Sequence, residues 1–264
     1  MLWAVACLAV ISATLASLRN AAARTTSSPA RSGLAQAKPP SISDEARADL
    51  YMIRKSYDNA ADFYYRALEQ QGFKNARLWN KLGIAREDQC QQKGCFVAAR
   101  KAYISAIHLD KQYAAAWNNL GTTYYLDRKI KKSIKYYARA IRLKPGIATY
   151  HLNLGTAEYT IKKYPVAFNE FRRALTLDPN IFLDRATVGN VVEPVTASAQ
   201  YYFYLAKVFA SLGRAQQAVL YLRHAMEDGF RNKRKIRNDP DLKKISHDPA
   251  FVQLLKNPPL PLTR

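Results

Sequence analysis

Few residues of this chain combine type and spacing in a way that could do covalent or metal chemistry. Cys90 and Cys95, in QCQQKGC, come nearest. Their spacing does not fit a C-x-x-C redox or zinc motif. A tight hairpin could bring their Cα atoms within the ~4.4–6.8 Å that a disulfide needs. In an oxidising compartment they read as a structural disulfide, and in a reducing one as free thiols. His108, His151, His224 and His247 are scattered, none with a cysteine or second histidine at ligand spacing. Asp239, Asp241 and Asp248 could suggest carboxylate chemistry, but Pro240 and Pro249 beside them read as helix starts capped by aspartate. No nucleotide-binding loop, GxSxG or HExxH occurs. The sequence thus offers no catalytic set, no metal site and no cofactor site. Its remaining polar feature is a pair of asparagines 34 residues apart, Asn119 and Asn153, whose amides each carry donors and an acceptor.

The elements that position these side chains repeat. From Ala116 to Pro145 the chain reads AWNNLGTTYYLDRKIKKSIKYYARAIRLKP. A shift of 34 residues carries Leu120 to Leu154, Gly121 to Gly155, Tyr137 to Phe171, Ala140 to Ala174 and Pro145 to Pro179. Trp117, Leu120, Gly121 and Tyr124 fall at i, i+3, i+4 and i+7, one face of a helix. Tyr136, Tyr137, Ala140, Ile141 and Leu143 give a second helix its buried stripe. The glycines are small where another helix must approach, and the prolines stop the second helix. Further copies run through Trp79, Leu82, Gly83, Ala99, Tyr103 and Ala106, with four extra residues between the helices, and through Tyr202, Leu205, Ala206, Phe209, Ala218, Leu222 and Ala225. An early copy shows Ala48, Tyr51, Tyr57, Ala60, Tyr64 and Ala67, its first helix degenerate.

This unit resembles the tetratricopeptide repeat. The resemblance implies an all-α, right-handed solenoid of about five helix–turn–helix repeats, near 44–76, 77–113, 114–147, 148–181 and 199–230. A helical capping segment at 231–264 would close the array over its last exposed face. In such arrays the first helices line a concave groove. The resemblance places Asn80, Lys81, Asn118, Asn119, Thr122, Tyr125, Asn153, Thr156, Tyr159, Tyr204 and Lys207 along it. Asn119 and Asn153 look like a two-rung asparagine ladder that could hold a peptide backbone, with Lys81 and Tyr204 breaking it on either side. On that reading, changing both asparagines to alanine weakens peptide binding and leaves the fold alone. The family's carboxylate clamp needs several basic groove residues, and only Lys81 and Lys207 are candidates, so that function does not carry over. The resemblance implies a non-enzymatic scaffold for a protein or peptide partner.

The chain has 264 residues and a formal charge of +21. Such an excess coats solvated helix faces, or attracts acidic proteins, cell-wall polymer, anionic lipid or nucleic acid. Lys129, Lys131, Lys132 and Lys135 crowd one unit; Arg231, Lys233, Arg234, Lys235 and Arg237 crowd the end. Met1 to Leu18 is almost wholly apolar and Ala21-Ala22-Ala23 follows, so residues 1–23 read as a cleaved signal peptide. Because Arg19, Arg24 and Arg31 follow the run and no basic residue precedes it, an uncleaved inner-membrane anchor is the alternative. Residues 24–43, rich in Ser, Thr, Pro and Ala, read as a disordered linker. The expectation is an exported, periplasmic or envelope protein whose membrane contact is confined to its N-terminal segment. Export would disfavour nucleic acid as a partner.

Overall fold

The structure, a computed structural model, describes residues 42–90, 95–182 and 199–261. The expected signal peptide or anchor, and nearly all of the expected linker, lie outside the described residues. Among those described, all regular structure is helical. Ten helices form five consecutive pairs: α1 (Asp44–Ile53) with α2 (Tyr57–Gln70), α3 (Ala76–Asp88) with α4 (Val97–Leu109), α5 (Ala114–Leu126) with α6 (Ile130–Leu143), α7 (Ala148–Thr160) with α8 (Tyr164–Leu177), and α9 (Ala199–Ser211) with α10 (Ala215–Glu227). Three short helices follow: α11 (Lys233–Asn238), α12 (Pro240–Lys243) and α13 (Pro249–Lys256). Each helix of the pairs packs on its neighbour in the chain, while first helices also touch first helices, α3 on α5 and α5 on α7. This is the all-α stack of paired helices that the repeat implies.

Three of the pairs close on a glycine. A Cβ at Gly83 would lie 2.4 Å from the Tyr103 ring, one at Gly121 2.8 Å from Tyr137, and one at Gly155 2.7 Å from Phe171. These three rings are almost fully buried. An aromatic side chain of the second helix thus packs directly against the bare backbone of the first, at a distance that a Cβ there would not allow.

Four of the turns inside the pairs share one geometry. Lys55, Arg128 and Lys162 adopt φ of 57°, 61° and 64°, and Gly213 does so at 72°. The next residue returns its N–H to the preceding helix: Lys129 to Tyr124, Lys163 to Glu158, Arg214 to Phe209. This left-handed closure satisfies carbonyls that the helix end would otherwise leave bare. The ring at the fourth position of each of three first helices ties down the approach to its pair. Trp79 Nε1 donates to the Phe73 carbonyl at 2.9 Å, Trp117 Nε1 to Lys111 at 3.0 Å, and His151 Nε2 lies 3.0 Å from the Pro145 carbonyl. His151 therefore occupies a tryptophan position and keeps the tryptophan's bond, six residues back in each case.

At the far end, Asp239 accepts from the N–H groups of Asp241 and Leu242, and Asp248 from those of Ala250 and Phe251. Pro240 and Pro249 occupy the first turns. The aspartates are caps, as their prolines imply. α12 lies against α9 and α13 against α10, and buried Ile236, Leu242, Ile245, Phe251 and Leu254 continue the core of the last pair.

Gly121→Leu is expected to lower stability by roughly 1–3 kcal/mol through overpacking against Tyr137. Urea unfolding followed by helical circular dichroism measures it; an unchanged midpoint would mean that the ring-on-glycine contact does not close the pair.

Candidate functional site

The expected groove residues lie together, on the first helices of successive pairs, but the structure turns most of them toward one another. Asn119 Nδ2 donates to Asn80 Oδ1 at 3.0 Å, Asn118 Nδ2 to Asn119 Oδ1 at 3.2 Å, and Asn153 Nδ2 to Asn118 Oδ1 at 3.0 Å. The four amides form a chain across α3, α5 and α7, and all four are buried. A buried amide without a partner is costly, so the links offset each other's desolvation. The ladder that the sequence suggests for a ligand backbone is here an internal bond between repeats. It has four members, since Asn80 and Asn118 each accept from the following unit.

Lys81 extends the spine toward the N-terminal end. Its Nζ lies 2.8 Å from Asp49 Oδ1 and 3.0 Å from Glu45 Oε1, tying α3 to α1. Burial works against both charges, but the Lys81 ammonium holds Asp49 below the usual carboxylate range and the two carboxylates hold Lys81 above 10.5. Tyr64 donates to the same Asp49. Lys207 has the matching role at the other end, 3.0 Å from Asp239 and 3.8 Å from Asp241, fastening α9 to the capping helices.

Tyr125 and Tyr159 are buried as well. The Tyr125 hydroxyl lies 3.0 Å from Thr160 Oγ1, another link between α5 and α7. Tyr159 meets Tyr164, Tyr201 and Tyr204 at ring separations of 5.2–5.7 Å, and Tyr204 stacks on Tyr164 at 4.9 Å. Thus Tyr204, Lys81 and Lys207 keep partial exposure among the expected site residues, and Asn80, Asn118, Asn119, Tyr125, Asn153 and Tyr159 do not. Thr122 accepts from the Tyr137 hydroxyl at 3.3 Å. Thr156 is its equivalent one unit on, fully buried, and its Oγ1 has no hydrogen-bond partner among the described residues.

Three polar contacts carry no plain signal in the sequence. Arg100 of α4 reaches Asp127 in the next unit's turn at 2.7 Å, and Lys129 joins at 3.2 Å. Burial opposes the charge on Asp127, but these two cations hold its carboxyl below the usual range. Glu87 is buried, with Tyr103 donating to it at 2.6 Å; burial drives its pKa up from 4.5 to about 8. His151 Nδ1 lies 2.7 Å from Glu170 Oε2 while Nε2 faces the Pro145 carbonyl. Both neighbours accept, which selects the imidazolium. Burial and Arg173 work against that charge, but the two bonds outweigh them and raise the His151 pKa above 6.5.

Cys90 and Cys95 form a disulfide with Cα atoms 5.6 Å apart, closing the inserted turn between α3 and α4. Among the described residues no group of three or more His, Cys, Asp and Glu side chains could hold a metal ion, and no helix is long and apolar enough to cross a membrane.

In sequence, residues 114–146 match the tetratricopeptide repeat family. No curated protein matches the chain. Solved structures similar to it include MamA, at 19% identity over 69% of this chain and 93% of that one with a TM-score of 0.48. TTC0263, a thermophilic TPR protein of Thermus thermophilus, gives 16%, 79%, 97% and 0.48 on the same measures. YrrB, described as a TPR protein with an unusual peptide-binding site, gives 16%, 70%, 84% and 0.45.

Two outcomes are expected. Asn119→Ala with Asn153→Ala should destabilise the chain rather than spare it, because buried Asn80 Oδ1 and Asn118 Oδ1 each lose a donor. At about 1–3 kcal/mol for each group left unpaired, a lower urea midpoint would show it, and an unchanged one would refute the ladder's structural role. Stability should also fall as pH rises. Glu87 and His151 both bind a proton more tightly in the fold than in the unfolded chain, whose ordinary values are 4.5 and 6.5. The Glu87 contribution is complete below pH 4.5 and lost through about 8, and that of His151 is complete below 6.5 and lost above its raised value. Unfolding free energy measured against pH should decline across this window, and His151→Gln should flatten its upper part.

Proposed function

We propose that the chain is a non-enzymatic scaffold that holds an extended segment of a partner protein along its first helices. The observation that carries this reading is the register of α3, α5 and α7. Matching amide bonds, Asn119 to Asn80 and Asn153 to Asn118, join successive units in the same way, so the surface beside them repeats. Packed helix axes lie ~8–10 Å apart, about three residues of extended chain at ~3.3 Å each. A segment of roughly ten residues would therefore follow α3 to α9 with one side chain set per unit. The amides supply rigidity in this proposal, and the contacts fall to half-exposed side chains beside them, Tyr204, Lys81 and Lys207 included. The buried titratable groups are held by structural partners, Glu87 by Tyr103 and His151 by Glu170, which favours a binding role over catalysis.

A second reading has an observation of its own. Lys131, Lys132 and Lys135 are exposed on α6 and have no carboxylate partner among the described residues. They favour an acidic polymer or surface met on the outer helices, with affinity that falls steeply with salt.

The two readings separate in one titration series against a partner captured by the intact chain. Tyr204→Ala should weaken binding about tenfold, as loss of a partly exposed aromatic anchor does, with little salt dependence. The Lys131→Ala, Lys132→Ala double variant should leave it unchanged. Salt-dependent loss with the lysine variant alone would establish the outer-face reading and overturn the groove.

We further propose that the chain acts in the cell envelope. Its support is the apolar Met1–Leu18 run together with the Cys90–Cys95 pair, whose Cα separation suits a disulfide that an oxidising compartment would maintain. Intact-mass measurement of the protein from its native source should find a mature chain beginning near Arg24, without free thiols at these two cysteines. A chain that keeps Met1, with both thiols reduced in the cytoplasmic fraction, would end this proposal.

A further inference from the structure

The capping segment holds a cavity of about 310 Å³, within the range of small-ligand pockets. Buried Ile236, Leu242 and Phe251 form an apolar interior, with Leu255 and the more exposed Val252 beside them. Arg237, Lys243 and Lys256 line the same cavity, all three exposed. No carboxylate lines it.

The acids of this segment are engaged elsewhere. Asp239 and Asp248 cap α12 and α13, and Asp239 also pairs with Lys207. Asp241 faces Lys207 and Lys244, each at 3.8 Å. Among the described residues Arg237, Lys243 and Lys256 have no ion-pair partner. Three cations around an apolar hollow repel one another, and a ligand that carries one anionic group on an apolar body relieves that repulsion while filling the hollow.

We infer that this cavity binds a small amphipathic carboxylate, an unbranched alkanoate of medium length. The alkyl chain lies among Ile236, Leu242, Phe251 and Leu255, and the carboxylate meets Arg237, Lys243 and Lys256. Of the three, the Arg237 guanidinium can offer a carboxylate two parallel N–H bonds. This site is independent of the peptide reading, since it lies in the capping helices beyond the last repeat pair.

The test is isothermal titration of the full chain with decanoate, decanol, decyltrimethylammonium and acetate, each below its aggregation limit. Decanoate should saturate one site, about tenfold or more tighter than decanol, with acetate and the ammonium compound not binding. Arg237→Gln, Lys243→Gln and Lys256→Gln together should reduce decanoate to the level of decanol. Val252→Trp, at an exposed position that spares the core, should block the site while the helical spectrum and melting temperature stay unchanged. Several results would overturn the inference. Equal affinity for decanol would show an apolar hollow indifferent to charge. Binding of acetate would show surface cations alone. Decanoate affinity untouched by both variants would place binding elsewhere, and absence of decanoate binding would remove the site.

Discussion

The contact on which the rest of the structure depends is an aromatic ring laid on a glycine. Tyr103 on Gly83, Tyr137 on Gly121 and Phe171 on Gly155 draw the two helices of a pair closer than any side chain at those glycines would allow. Glycine inside a helix costs up to about 1 kcal/mol relative to alanine, and burial of a ring more than offsets it at ~25 cal/mol per Å². The asparagine chain joins the first helices of these same three pairs, α3, α5 and α7.

Stacked repeats touch only their neighbours, so stability is close to a sum of pair terms and interface terms. The interface terms here change character along the chain. Lys81 joins α3 to α1 by charge, Asn80 to Asn153 join α3, α5 and α7 by neutral amides, and Tyr159, Tyr164, Tyr201 and Tyr204 join α7 and α8 to α9 by ring contacts. Lys207 then returns to charge at the cap. Along the first helices, then, ion pairs stand at the two ends and uncharged bonds lie between them, while on the other side of the stack Arg100 and Asp127 also join the second unit to the third by charge.

The helix pairs are legible in the sequence because every rule that makes them is local. Trp117, Leu120, Gly121 and Tyr124 lie within eight residues, and their spacing alone defines a face. The Asp-Pro starts of α12 and α13 are equally short-range. The state of the asparagines is not legible, although their positions are. Whether Asn119 faces solvent or Asn80 depends on how closely α3 and α5 approach, which is a property of residues 39 apart in sequence. His151 is silent in the sequence for another reason. It replaces the tryptophan of the neighbouring units, and only the retained bond to Pro145 and the contact with the Glu170 carboxylate reveal it as a titratable substitute for that anchor. The cap cavity is assembled from three short helices, and no single periodicity in the sequence runs through its lining residues.

The same position in successive units shows how far the repeat tolerates change. Tyr103 directs its hydroxyl to Glu87, and Tyr137 directs its own to Thr122. Phe171 has no hydroxyl, and Thr156, the equivalent of Thr122, is left with Oγ1 buried and unpaired among the described residues. If the hydroxyl bond were what closed the pair, the unit with Phe171 should pack differently, yet its ring approaches Gly155 within 0.1 Å of the Tyr137–Gly121 distance, 2.7 against 2.8 Å. Ring shape therefore sets the geometry, and the hydroxyl only settles which polar group of the first helix is satisfied. That freedom lets the ring hydroxyl of one unit serve buried Glu87, its pKa pushed up to about 8, and that of the next unit serve Thr122, at a different position of its helix. The polar partner is adjustable because the apolar contact beneath it is not.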